Sequence, residues 1–112
     1  MKWILAVLML LTFAFSALPV QAAEAQDQIN ARCSAEWPSD YRMQKYCRKK
    51  QATGGQKVVS WMGRHAVKNG FEKTVWGRMF RHCCGEWTDE FGLEWNMTAY
   101  CLNRQEEAYR DL

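Results

Sequence analysis

From residue 24 onward, apolar side chains recur at spacings of three and four, and no run alternates apolar with polar residues as a half-buried strand would. The pattern predicts an all-α domain of about four helices. The first is expected from Glu24 to Ala35. Trp37-Pro38-Ser39-Asp40 then turns the chain, with Ser39 as N-cap and Asp40 in the first turn of a second helix. That helix carries Met43, Tyr46, Cys47 and Lys50 on one side, and Gly54-Gly55 is expected to weaken or end it. Val58, Val59, Met62, Ala66 and Val67 form a further stripe, stopped at Asn69-Gly70. A third full helix is expected from near Phe71, with Val75, Trp76, Met79, Phe80 and Cys83 as its apolar face. Gly85 to Thr88 turns the chain again. Thr88 is placed to cap a last helix reaching to near Arg110, with Asp89 and Glu90 in its first turn.

The first 22 residues break this pattern. Lys2 is followed by a continuous apolar stretch from Trp3 to Phe15, interrupted only by Thr12. Val20-Gln21-Ala22 then presents small residues at the positions a signal peptidase reads. The apolar run falls short of the roughly 20 residues that span a bilayer, and Pro19 closes it. The expectation is a secretory signal peptide over residues 1–22, cleaved after Ala22 or Ala23, and a single helical domain over 23–112 in the periplasm or the secreted space. A bacterial secretory system fits the style of the site best, and a eukaryotic one stays open. After processing, no membrane span is expected.

The most specific feature is a duplication. Cys33-Ser-Ala-Glu36-Trp37-Pro-Ser-Asp40-Tyr41-Arg-Met43-Gln-Lys-Tyr46-Cys47, followed by Gln51, recurs as Cys83-Cys84-Gly-Glu86-Trp87-Thr-Asp-Glu90-Phe91 and, after four inserted residues, Asn-Met97-Thr-Ala-Tyr100-Cys101, followed by Gln105. The shared pattern is C-x2-E-W-x2-acid-aromatic-x-M-x2-Y-C-x3-Q. The insert is about one helical turn long and could extend a helix. The physical reading is two similar helix hairpins, over about 29–58 and 79–112. In each, a cysteine late in the entering helix faces one in the returning helix. This predicts the disulfides Cys33–Cys47 and Cys83–Cys101, each stabilising by about 3 kcal/mol. The expected fold is therefore a small bundle stapled by disulfides and built from duplicated hairpins. Its Glu-Trp turns are expected to be structural, with the tryptophan plugging the hairpin end and the carboxylate capping or pairing locally; contact with a ligand is the alternative.

Composition adds limits. A chain of 112 residues that loses a signal peptide is small enough for its core to be marginal, which is where exported domains add cross-links. Without Lys2 the formal charge drops from +3 to +2, so overall charge gives no case for nucleic acid or an anionic membrane surface. Arg48-Lys49-Lys50 reads as a solvated helix face. Five tryptophans after Trp3 imply an aromatic core or an aromatic contact surface. Cys84 stands where the first copy has Ser34 and leaves an odd thiol. It could be a buried free thiol, the link of a homodimer, a partner of Cys101 in place of Cys83, or a reactive nucleophile. His82-Cys83-Cys84 lacks the paired C-x2-C spacing of a zinc site. His65 and His82 read as surface or half-buried side chains. The acids are spread along helix faces and suggest no buried pair. No catalytic residue, metal ligand or cofactor is expected.

The segment from Cys33 to Gln51 resembles a motif of small exported or phage-associated bacterial proteins of uncharacterised function. The resemblance implies a helical, disulfide-bearing module and brings no activity with it. The leading expectation is a non-catalytic protein that binds another protein, an inhibitor or immunity protein being one concrete form. Two alternatives are an envelope structural or stress factor without a defined ligand, and a thiol-redox or metal-handling protein using Cys84.

Overall fold

The computed structural model describes residues 24–65 and 70–112. The expected signal peptide and the stop at Asn69 lie outside them. The described chain is all-α apart from one two-residue strand pair. A first helix (α1) covers 24–36. The second, α2, spans Tyr41–Arg64. A short 3-10 turn over Phe71–Lys73 leads into α3, Val75–Glu86, and the chain ends with α4, Trp95–Arg110. Between α3 and α4, β1 (Thr88–Asp89) pairs antiparallel with β2 (Gly92–Leu93).

Local chemistry sets these limits. Asp40, not Ser39, caps α2: its carboxylate accepts from the Met43 N–H at 3.1 Å. Ser39 stays in the turn, one residue too early to reach that donor. Thr74 caps α3 by accepting from the Gly77 N–H at 3.1 Å, so the α-helix starts four residues after Phe71. Glu94, not Thr88, caps α4, accepting from the Met97 N–H at 2.6 Å. Thr88 instead donates its hydroxyl to the Cys84 carbonyl, and Asp89 and Glu90 belong to the strand pair and its turn.

Gly54-Gly55 does not end α2, which runs unbroken for 24 residues. The reason is tertiary. A Cβ on Gly54 would lie 2.6 Å from Asn96 N and from Trp95 C, so α2 meets the start of α4 backbone to backbone. The two helices then run side by side in the same direction, with His65 near the end of one beside Glu106 on the other.

Each disulfide lies in its own core. Cys33 and Cys47 pack with Ile29, while Cys83 and Cys101 pack with Val58, Trp61, Met79 and Leu102, and Trp95 touches both groups. The observed bridges are Cys33–Cys47 and Cys83–Cys101, with Cα–Cα distances of 5.6 and 5.7 Å. Such bridges belong to an oxidising, non-cytoplasmic compartment. No described helix is long and apolar enough to cross a membrane.

Candidate functional site

The residues of the repeated motif take matching positions. In each half the tryptophan N–H donates to the first cysteine's carbonyl, Trp37 to Cys33 and Trp87 to Cys83, both at 3.1 Å. In each half the tryptophan carbonyl accepts from the N–H of the capping acid, Asp40 at 3.3 Å and Glu94 at 2.9 Å. Both capping acids then hold a methionine N–H, that of Met43 or Met97. The structural counterpart of Asp40-Tyr41 is therefore Glu94-Trp95, not Glu90-Phe91. The four extra residues fall before the cap and form the strand pair; they do not lengthen α4.

That strand pair does a specific job. Arg32, nearly buried on α1, donates from both terminal nitrogens to Asp89 at 2.8 and 2.6 Å and to the Gly92 carbonyl at 3.2 Å. Its guanidinium carbon also stands 5.7 Å from the centre of the Phe91 ring. Gly92 has φ 86°, and Gln28 fills the space a side chain there would need. The insert thus docks the second half of the chain onto α1.

The other motif residues divide into buried and exposed sets. Gln51 is buried, donates to the Glu94 carboxylate and accepts from the Trp95 N–H at 2.8 Å, joining α2 to the start of α4. Its counterpart Gln105 is exposed. Trp87 packs against the larger core, whereas Trp37 is 38% exposed. Tyr46 and Tyr100 are also exposed. The carboxylates do sit locally: Glu36 Oε2 is 3.7 Å from the Cys47 sulfur, and Glu86 Oε2 is 3.3 Å from His82 Nε2.

Two histidine environments differ. His82, Glu86 and Cys101 gather their potential donor atoms within 4.8 Å. The Cys101 sulfur is bonded to Cys83 and has no thiolate to offer a metal. His65 stacks on Trp76 at 4.0 Å between ring centres, next to Trp61, and its Nε2 lies 3.2 Å from Glu106 Oε1. Both side chains are close to fully covered, so the acids do include one buried pairing that their spacing along the chain conceals. Burial pushes the Glu106 carboxyl up, but the hydrogen bond from Arg110 and the charges of His65, Arg110 and Arg64 outweigh it and hold it below the ordinary carboxylate range. The pair ties the end of α2 to α4 inside the aromatic cluster.

Cys84 is free and half-buried, beside Phe80 and Phe71. Burial pushes its thiol up, opposite to the direction a reactive thiolate needs.

The surface of α2 is cationic, with aromatic side chains exposed at its start. All seven charged residues of α2 are basic, and among the described residues none of them makes an ion pair. Tyr41 is 78% exposed, and Tyr46 and Trp37 stand nearby at the same stapled turn. A groove of about 700 Å³ runs between α2 and α4, walled by Lys57 and Arg64 on one side and Asn96, Tyr100 and Asn103 on the other. No protein family matches the chain, and no curated protein or solved structure matches it.

Proposed function

We propose that this is an exported, non-catalytic binding protein of the periplasm or secreted space that acts by docking another protein, as an inhibitor or immunity-type factor does. The observation that carries this reading is the exposed trio Trp37, Tyr41 and Tyr46 around the Cys33–Cys47 staple. Tryptophan, tyrosine and arginine are the residues that most often anchor protein interfaces. On a cross-linked turn they lose little freedom on binding, which keeps more of the contact energy as affinity. The duplicated motif and the signal-peptide pattern at residues 1–22 support the same picture of a small scaffold that oxidises after export.

The test is chemical cross-linking of the oxidised, processed protein in envelope and culture fractions, alongside Tyr41→Ala/Tyr46→Ala. The reading expects one saturable protein partner whose capture the double variant abolishes. Capture that is non-saturable, or that the variant leaves intact, would sink it.

A further inference from the structure

We infer that the α2/α4 groove binds an extended, acidic segment of the partner protein, with carboxylates spaced about three residues apart. The inference rests on the protein-docking reading above and adds a location and a chemistry to it.

Lys50, Lys57 and Arg64 stand at i, i+7 and i+14 on α2. Seven residues return a helix to nearly the same side and advance it about 10.5 Å. The three cations therefore form a row along one edge of the helix. Lys57 and Arg64 line the 700 Å³ groove, and Lys50 lines the small pocket that continues it past Asn96, which borders both. On the facing helix, Asn96, Tyr100 and Asn103 stand at i, i+4 and i+7, the spacing of a single helix face. One wall thus offers regularly spaced positive charge. The other offers amides, which can both donate to and accept from a peptide backbone, and an exposed tyrosine.

Charge sets the sign of the ligand. No acidic side chain lines the 700 Å³ stretch. Glu36 and Glu94 lie only at the Lys50 end, and Glu94 is already held by Gln51 and the Met97 N–H. Of the nearby acids on α4, Glu106 is taken up by Arg110 and His65 and also feels the charge of Arg64, and Glu107 pairs with Arg104. Lys57 and Arg64 have no ion-pair partner among the described residues. The small net charge of the chain therefore hides a local excess that points at this groove.

Spacing sets the form of the ligand. An extended chain in the polyproline-II conformation has three residues per turn and rises about 3.1 Å per residue, so every third side chain returns to the same side about 9.3 Å along, close to the repeat of the cation row. A helical ligand would need acids seven residues apart to match the same row. Open, rim-like charge pairs of this kind steer and register a partner, and they weaken with salt.

The experiment uses the oxidised, processed protein and fluorescein-labelled twelve-residue peptides, read by anisotropy. One peptide has glutamate at every third position among glycine and alanine. A second has the same composition with the glutamates contiguous. The spaced peptide should bind about tenfold more tightly, and Lys57→Glu/Arg64→Glu should remove about tenfold of that affinity. Arg42→Glu/Lys45→Glu, away from the groove, should change it less than about threefold, with circular dichroism confirming the fold of both variants. Lys57→Gln/Arg64→Gln should show a smaller loss in the same direction. Equal binding of the two peptides, or equal loss from the two glutamate variants, would overturn the inference in favour of diffuse charge attraction. Tighter binding of an oligogalacturonate with the same dependence on Lys57 and Arg64 would reassign the groove to an acidic glycan and also overturn it. Partner capture that survives Lys57→Glu/Arg64→Glu but fails with the tyrosine variant would leave the docking reading standing and this inference false.

Discussion

Arg32 on α1 and Asp89 in the inserted strand pair, 57 positions apart in sequence, meet through two hydrogen bonds of 2.8 and 2.6 Å. Arg32 is 4% exposed and Asp89 49% exposed, so one end of the pair is desolvated and the other is wet. The pair clamps α1 to the second half of the chain, alongside the contacts that join α2 to α4. Without the insert, α1 would face the second half with a buried, unpaired cation.

Arg32→Ala should therefore destabilise the fold by about 2 kcal/mol, through lost packing and an unfastened hairpin. Asp89→Asn keeps one acceptor and half the solvent access, and should lose less, about 1 kcal/mol. Urea denaturation checks both. Hydrogen exchange should show faster exchange at Phe91, whose N–H donates to Asp89 Oδ1 at 2.9 Å. An Arg32→Ala protein as stable as wild type would show that the clamp is ornamental.

Gly54 and Gly55 are adjacent in one helix, yet they should respond to alanine with opposite signs. A methyl at Gly54 would lie 2.6 Å from the backbone of Trp95 and Asn96, which cannot rotate away. Gly54→Ala should force α2 and α4 apart and cost about 1–3 kcal/mol. At Gly55 the nearest atoms belong to the Trp95 ring at 3.8 Å, an ordinary contact. There the gain in helix propensity should stabilise by up to about 1 kcal/mol. Thermal melts of the two variants decide the matter, and a shared sign would contradict the backbone contact.

The same glycines show where the sequence stops being legible. Local propensity treats Gly54-Gly55 as a helix break, because the penalty is local and the compensating contact with α4 is not. The cysteine pairing was readable because the duplication supplies a geometry that counting cannot. The position of the insert was not readable. Glu90-Phe91 and Glu94-Trp95 both satisfy the acid-aromatic pattern, and only cap geometry distinguishes them. Arg32–Asp89 and His65–Glu106 were invisible for a simpler reason. A charged residue in a helical pattern reads as solvated, and nothing in its neighbours announces a distant partner.

Acid should weaken the fold through two carboxylates. Hydrogen bonds from Arg32 chiefly hold Asp89 below the usual carboxylate range, against a smaller cost of desolvation. Glu106 is also lowered, despite the upward push of burial. A carboxyl depressed in the folded state contributes stability that is full above its unfolded value, about 3.9 for Asp and 4.3 for Glu. That contribution is lost as pH falls through the folded value. Urea midpoints should therefore hold from neutral pH down to about 5 and fall steeply below about 4. Glu106→Gln and Asp89→Asn should each lower stability at neutral pH and flatten the acid limb. An unchanged limb in the double variant would refute the assignment.

The strongest dependence should be on oxidation. The bridges close loops of 14 and 18 residues, each worth about 3 kcal/mol if the constraint acts on the unfolded chain. Each staple also fills a core, so its removal leaves an apolar gap as well. Cys33→Ala/Cys47→Ala should free α1 from α2 while leaving the larger core folded. Cys83→Ala/Cys101→Ala should unfold most of the domain, because Val58, Trp61 and Leu102 pack on that bridge. Intact mass after alkylation should show one modified thiol, Cys84, reacting slowly until denaturant exposes it. A protein retained in a reducing cytosol should lose both staples, roughly 6 kcal/mol by the same rule, and a domain of this size then has little stability left. A fully reduced protein that melts cooperatively at the wild-type temperature would show that the staples are dispensable.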